Sequence, residues 1–372
     1  MTESDDLRGV VREYLAETSP SETVRKLMLT ETGYDEAAWL QMARELGLHG
    51  IAVPERWGGA GAGVAELAVV FEEMGRALLC SPFYATVGLA TQAILASGDD
   101  EAAERFIPGF VDGSTTATLI LNGRLDVWDP AAVTLRADRD GAGHRIQGEA
   151  PLVIDGHTAD VVLAAANTAA GLSLFAVNAR SAGVTRTTLA GIDRTRKLAR
   201  VQFDNASAQL IGSDGGAADF LTRASDLGIV ALAAEQVGAA QRCLDMAVEY
   251  AKSRIQFGRP IGSFQAVKHR CADMLVQVEG ARSAASHAAD IADSAGADDF
   301  ATAASVAKLA CSEALLQAAL DNMRIHGGIG FTWEHDAHLF VRRAKASQLM
   351  YGSPDTHAER LAMLVSEVKG PL

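Results

Sequence analysis

The sequence predicts a mostly α-helical protein built around one central β unit. Apolar residues recur at helical spacing up to about residue 110, short β-rich runs separated by turn signals fill the stretch from about 115 to 212, and helical spacing returns from about 217 onward. With 372 residues, 48% of them hydrophobic, the chain has ample material for a buried core without disulfides or structural metals.

In the first zone Leu67, Val70, Phe71 and Met74 mark one helical stripe, and Pro54 with the stretch "WGGAGAG" breaks the pattern before it. Gly59, Gly61 and Gly63 open like a dinucleotide fingerprint, but its third glycine falls on Val64 and no buried parallel strand precedes it. The stretch therefore reads as a loop leading into a helix that starts near Ala65. The second zone contains "TATLIL", "AVTLR", "ADVVLAAA", "LSLFAVN" and "ARVQF", with turns at Asp140-Gly141 and Asp155-Gly156, and reads as a small antiparallel β unit. In the third zone Val230, Val237, Leu244 and Val248 form a stripe, and alanine dominates from 281 to 320, so long helices packed closely through small residues are expected. The implied domains are 1–114, 115–216 and 217–372, with the longest connection around 211–217.

Charge and cysteine usage narrow the function. The balance of 33 basic against 47 acidic residues gives a net charge of −14, the wrong sign for gripping nucleic acid or an anionic membrane over a broad surface, so a bound anion must be held locally. Cys80, Cys243, Cys271 and Cys311 lie far apart without metal-ligand spacing and read as buried small hydrophobes in a reducing compartment. The start "MTESDDLRGV" has neither the basic nor the apolar part of a signal peptide, and no unbroken run of about eighteen apolar residues occurs. The expectation is a soluble, cytoplasmic protein.

Two segments carry chemistry. In "SRIQFGRPIGSFQ", Arg254 ends a helix begun near residue 226, and Gly258, Pro260 and Gly262 stop that helix before another begins near Phe264. A guanidinium fork suits phosphate oxygens, and Phe257, three residues on, suits an adenine or ribose; a solvated helix end with cations at its negative pole is the competing reading. In "RIHGGIGFTWEHDAHLFVRR", Gly327 and Gly328 let the backbone come close to a ligand. His335 and His338 lack the carboxylate and histidine spacing of a metal site.

Together, "RIQFGRPIGSFQAVKHRCADM" and "HGGIGFTWEHD" resemble the signature segments of the acyl-CoA dehydrogenase family, "VPERWGGAG" resembles its N-terminal domain and "GHTADVVLAAA" its β domain. The resemblance covers nearly the whole chain. It implies an N-terminal helical domain, a β-barrel-like middle domain and a C-terminal four-helix bundle, with FAD bound at a subunit interface and an acyl-CoA thioester as substrate. By the same resemblance Arg254 contacts the FAD pyrophosphate, Phe257 lies beside the adenosine part and Gln265 makes a polar contact near it, while Gly327 and Gly328 meet the ADP portion. Arg324 departs from the family's usual glutamine and adds a cation near the phosphates.

The family's reaction is α,β-dehydrogenation, in which a glutamate removes the α-proton and the β-hydrogen leaves as hydride to the flavin. Here "QLMYGSPDTH" aligns its Gly352 and Ser353 with the family's Gly-Thr, which puts Tyr351 where that glutamate belongs. A phenol with a pKa of about 10 is a poor base. The family's alternative glutamate lies at the start of the long helix, where Asp226 is the nearest acid and Glu235 lies more than two turns further on. The ring-facing stretches also depart: "LILNGRLDVWDPAAV" and "PLVIDG" stand where the family has a Thr-Glu-Pro type segment and a Trp-Ile-Thr/Ser stretch. The reading that fits both losses is a non-catalytic subunit of a heterotetrameric, α2β2 enzyme, which offers the ADP-side clamp while a homologous catalytic subunit supplies the base and the flavin-ring pocket. The resemblance also implies steroid or side-chain catabolism and an electron-transfer flavoprotein as acceptor. A self-sufficient homo-oligomer and a flavin-free structural subunit are the alternatives.

Overall fold

The computed structural model describes residues 3–121, 127–141, 143–294 and 296–369. The N-terminal helical unit contains α1 (Glu3–Thr18), α2 (Ser21–Leu27), α3 (Glu36–Arg44), α4 (Val64–Arg76), a π-helical stretch Tyr84–Thr91 that runs on into α5 (Gln92–Ser97), and α6 (Asp100–Val111). Asp35 and Asp99 cap α3 and α6 by accepting backbone N–H groups, as short acidic residues at these positions should.

The middle unit has seven strands: β1 (Ala117–Ile120), β2 (Arg136–Asp140), β3 (Gly143–Ile154), β4 (Val161–Asn167), β5 (Leu172–Asn178), β6 (Val184–Leu189) and β7 (Leu198–Ile211). Pairing runs β4-β2-β3-β7-β5 and returns from β5 to β4, so the sheet closes on itself as a barrel. Ile146, Val162, Phe175, Val177 and Val201 fill its interior. The sheet is mixed rather than antiparallel throughout, because β1 pairs β4 in parallel. The sequence reading missed β3 and β6. The polar "VTRTTL" of β6 lies at an edge against β7, and register shifts at Ile146/Gly148 and Ala150/Val153 break the alternation of β3. Residues 133–135 of "AVTLR" lie outside any strand. The connection from β6 to β7, residues 190–197, is longer than the short link at 212–217.

The helix that ends at Arg254 begins earlier than the expected residue 226, α7 spanning Ala218–Ser253, and it is followed by the two-residue strands β8 (Ile255–Gln256) and β9 (Arg259–Pro260), α8 (Gln265–Ile291), α9 (Ala297–His326), α10 (Ala337–Leu349) and α11 (Pro354–Lys369). Contacts fix the helix directions. Gln236 of α7 bonds Ser312 of α9 at 3.1 Å, and Tyr250 stacks on His326 at 4.3 Å between centroids, so α7 and α9 run in parallel with a constant offset. Arg270 of α8 meets Asp321, and the Cys311 thiol meets the Ala281 carbonyl, so α8 runs antiparallel to α9. Helix α9 is long and apolar enough to cross a membrane, yet here its residues serve as the bundle's core. Three cysteines are buried as expected; Cys271 is only half-buried.

Close packing of α4 on α7 depends on two glycines. A Cβ at Gly75 would fall 1.9 Å from the Glu235 carbonyl oxygen, and one at Gly238 would fall 1.7 Å from that of Glu72. Gly280, inside α8, has open space instead. Gly238→Ala should therefore destabilise the protein by about 1–3 kcal/mol through overpacking, whereas Gly280→Ala should stabilise it by up to about 1 kcal/mol through helix propensity. Denaturant midpoints of the two variants measure the opposite signs.

Candidate functional site

The sequence-predicted binding residues gather at one end of the bundle. Arg254 closes α7, its N–H bonding the Tyr250 carbonyl at 2.9 Å. The chain then turns back through the β8–β9 hairpin, with Phe257 and Gly258 at its tip, both at positive φ of 54° and 75°. This is the twist a two-residue hairpin needs, but phenylalanine rarely adopts it. The Phe257 side chain is 91% exposed and touches the Phe264 ring edge-on at 6.0 Å. Gln265 is exposed as the first residue of α8. The exposed guanidinium of Arg254 makes no ion pair among the described residues.

The second segment arrives at the same end because α9 parallels α7. Arg324 pairs with Asp321 at 2.9 Å, and Asp321 also takes Arg270 and Gln317. Burial works to raise the Asp321 carboxyl, but these donors hold it below its usual range. Gly327 has φ 64° and ψ −140°, a conformation that favours glycine. Gly328 has no such constraint, and nothing lies within 4 Å of either Cβ position. No internal contact requires glycine at 328, so the open space faces outward, as a cradle for a bound group or another surface would.

The acidic candidates for a base lie elsewhere and are enclosed. Along α7, Glu235 is 19 residues and Asp226 is 28 residues before Arg254, which at 1.5 Å per residue is about 28 Å and about 42 Å. Both oxygens of buried Asp226 are held by Arg360 at 2.7 and 2.9 Å; burial is the largest influence on its carboxyl and raises its pKa. Glu235 binds Arg343 through one oxygen and Arg196 through the other. Arg343, 2% exposed, also donates to Asp193 and Thr195, at 2.6 Å each. The four charges balance inside the junction of barrel and bundle.

Tyr351, which the resemblance puts in place of a glutamate base, is 3% exposed with φ 58°. Its ring lies 6.5 Å from that of Tyr84, whose hydroxyl donates to the Gly228 carbonyl at 2.8 Å. Burial pushes both phenols well above their ordinary range, so both stay protonated. Lys308, buried in α9, fixes the nearby chain by donating to the carbonyls of Ser347 and Gln348 at 3.0 and 3.1 Å. At the ring-facing stretches, residues 122–126 of "LILNGRLDVWDPAAV" lie outside the described residues, and Trp128 beyond them donates to Thr222 at 3.0 Å. "PLVIDG" ends β3 and buries Val153, Ile154 and Asp155.

The sequence reading missed Arg196, Arg343, Asp193 and the Tyr250–His326 stack. Only Asp193-Arg194-Thr195 carried a local signal, since its aspartate accepts from the backbone two residues on, as in an Asx turn.

Comparison with known proteins agrees with this architecture. Residues 1–114 match the acyl-CoA dehydrogenase N-terminal domain and residues 220–365 the acyl-CoA dehydrogenase C-terminal domain. The acyl-CoA dehydrogenase IpdE2 of Mycobacterium tuberculosis is 38% identical over 368 residues, covering 97% of this chain and 96% of that protein. A chain of the ChsE4–ChsE5 complex from Mycobacterium tuberculosis superposes with a TM-score of 0.89 at 29% identity, covering 100% of this chain and 99% of that one. A variant of the Tcur3481–Tcur3483 steroid ACAD superposes with a TM-score of 0.88 at 30% identity, covering 99% and 98%.

The charge network makes its own prediction. Glu235→Gln keeps the shape but leaves the buried arginines one negative charge short, and breaking such a group costs about 3–5 kcal/mol. Denaturant unfolding of the purified chain should show a loss of that size; a change below about 1 kcal/mol would mean that water reaches the network.

Proposed function

This chain belongs to the acyl-CoA dehydrogenase family, whose members are FAD-dependent, and we propose that it is the non-catalytic, flavin-clamping subunit of a hetero-oligomeric member. One observation carries the reading. The residues suited to an ADP group are exposed at one end of α7 and α9, whereas every candidate for a base is buried and already engaged. A subunit that completes a partner's site needs the first set and can do without the second.

The residues at the bundle end fit the diphosphate side of FAD. Arg254 supplies an unpaired guanidinium for phosphate oxygens, Phe257 an apolar face for the adenosine, and Gln265 a polar contact. Gly327 and Gly328 leave room for a group to approach the backbone, and Arg324 adds positive charge that Asp321 keeps in place. When bound, FAD supplies the hydride acceptor for α,β-dehydrogenation. This chain's part is binding and orientation; proton removal falls to the homologous partner, since Tyr351 is held neutral and Asp226 and Glu235 have no free oxygen.

Related chains support a paired assembly and a steroid-type substrate: one is part of the ChsE4–ChsE5 complex, and another is named for Tcur3481–Tcur3483 and called a steroid ACAD. We extend both features to this chain, with a polycyclic or side-chain acyl-CoA as substrate, electron-transfer flavoprotein as acceptor and the cytoplasm as its location.

Purification with and without the companion subunit tests the proposal. The expected result is a chain that is colourless alone and a complex that holds one FAD per pair of unlike chains. In the complex Arg254→Ala should weaken FAD binding at least tenfold, about 1.4 kcal/mol, while Tyr351→Phe should leave turnover within about twofold, because a protonated phenol supplies no base. Full activity and one FAD per polypeptide from this chain alone would overturn the reading.

A further inference from the structure

The two clamp segments are 70 residues apart, from Arg254 to Arg324, and something must hold one against the other. The rings of Tyr250, His326 and His335 do so. His326, the last residue of α9, stacks on Tyr250 at 4.3 Å and meets the His335 ring at 4.2 Å with the planes tilted by 43°. Tyr250 is one turn before Arg254, and His326 immediately precedes Gly327. The stack is therefore the joint between the end of α7 and the glycine turn.

The hydrogen bonds fix the protonation of both rings. His326 Nδ1 lies 2.9 Å from the Asn322 carbonyl, an acceptor, so this nitrogen carries the hydrogen. His335 Nδ1 lies 3.1 Å from the Ala337 N–H, a donor, so this nitrogen carries a lone pair. Ala337 opens α10, and Asp336 before it provides no side-chain cap; its carboxylate is held instead by Arg25 of α2 at 2.8 and 2.6 Å. The imidazole of His335 thus replaces the missing cap. A proton on Nδ1 would remove that bond, put a cation at the positive end of α10 and add charge 4.2 Å from His326. The other charged or titratable groups facing His335 are Arg25 and His338, which oppose protonation, and Asp336, which favours it but is already paired with Arg25.

We propose that His335 is a positioning residue: as a neutral imidazole it caps α10 and completes the Tyr250–His326 stack, holding the glycine turn in register with Arg254, and on protonation it releases that turn and weakens the grip on the FAD diphosphate. The inference rests on the clamp reading above. Burial lowers the His335 pKa from its ordinary value, consistent with this geometry. A depressed folded-state pKa means that the neutral form's contribution is complete above the unfolded value of about 6.5 and is lost as pH falls through the folded value.

The test uses the complex of this chain with its companion, with FAD affinity measured by flavin fluorescence at pH 7.5 and 5.5. The wild type should lose between about twofold and tenfold in affinity on acidification, because a folded-state value below 6.5 leaves His335 only partly protonated at pH 5.5. His335→Asn keeps a capping acceptor and His335→Phe keeps a stacking ring; neither titrates, so both should flatten the pH profile. A wild-type profile in either variant, or a flat profile in the wild type, overturns the proposal. Amide hydrogen exchange over residues 327–337 in the chain alone gives a second readout, and should accelerate between pH 7.5 and 5.5, after correction for intrinsic rates, in the wild type but not in His335→Asn. If Arg254→Ala leaves FAD affinity unchanged at pH 7.5, the clamp reading fails and the flavin consequence falls with it. A pH-independent exchange pattern would overturn the role of His335 by itself.

Discussion

Two guanidinium groups at the junction of barrel and bundle, Arg343 buried and Arg196 largely so, constrain how everything else is arranged. Arg196 comes from the β6–β7 connection with Asp193 and Thr195, Glu235 comes from α7, and Arg343 comes from α10. A buried charge without its partner costs several kcal/mol. Any docking of barrel on bundle that parts these residues is therefore strongly disfavoured, and the interface has essentially one register. The network also fills space with paired side chains, together with Tyr84 and Tyr351, and it engages both oxygens of the carboxylate at 235.

Helix α7 then sets the distance between this lock and the surface that faces outward. It is a single rigid element of 36 residues, about 54 Å long, with the lock on its first half and Arg254 at its end. The two glycines that let α4 and α7 approach, Gly75 and Gly238, lie close to the lock, and Arg76 carries the bracing by the N-terminal unit further along the helix to Asp245. Val24, Met28 and Leu78 extend that covering as far as Ala247, and it stops before the hairpin. There the chain exposes Phe257 on a left-handed backbone and leaves open space beside Gly327 and Gly328. Strain and apolar exposure of this kind persist when another surface offsets them. The molecule thus has an inner half held by its own ion pairs and packing and an outer end that leaves apolar surface and open backbone exposed.

The joint at that outer end is made of neutral rings and short polar contacts, not of deep packing. Tyr250, His326 and His335 form it, and Arg25 ties the following loop back to the N-terminal unit through Asp336 and the Trp333 carbonyl. Such a joint is firm enough to orient two loops and light enough to respond to one proton.

Much of this was legible in the sequence, because the relevant energies are local. Helical spacing of apolar residues, the turn chemistry of Gly258 and Gly327, and the replacement of an expected carboxylate by Tyr351 can each be read within a few residues, and the two signature segments identify the family. The strands β3 and β6 escaped notice where bulges and an edge position blurred the period-two pattern. Only the tertiary structure decided which charges neutralise one another and which rings meet. Glu235 finds Arg343 across 108 positions and Tyr250 finds His326 across 76. Neither pairing leaves a local trace, since an ion pair or a ring contact is selected by the packing of separate elements and not by the residues beside it in the chain.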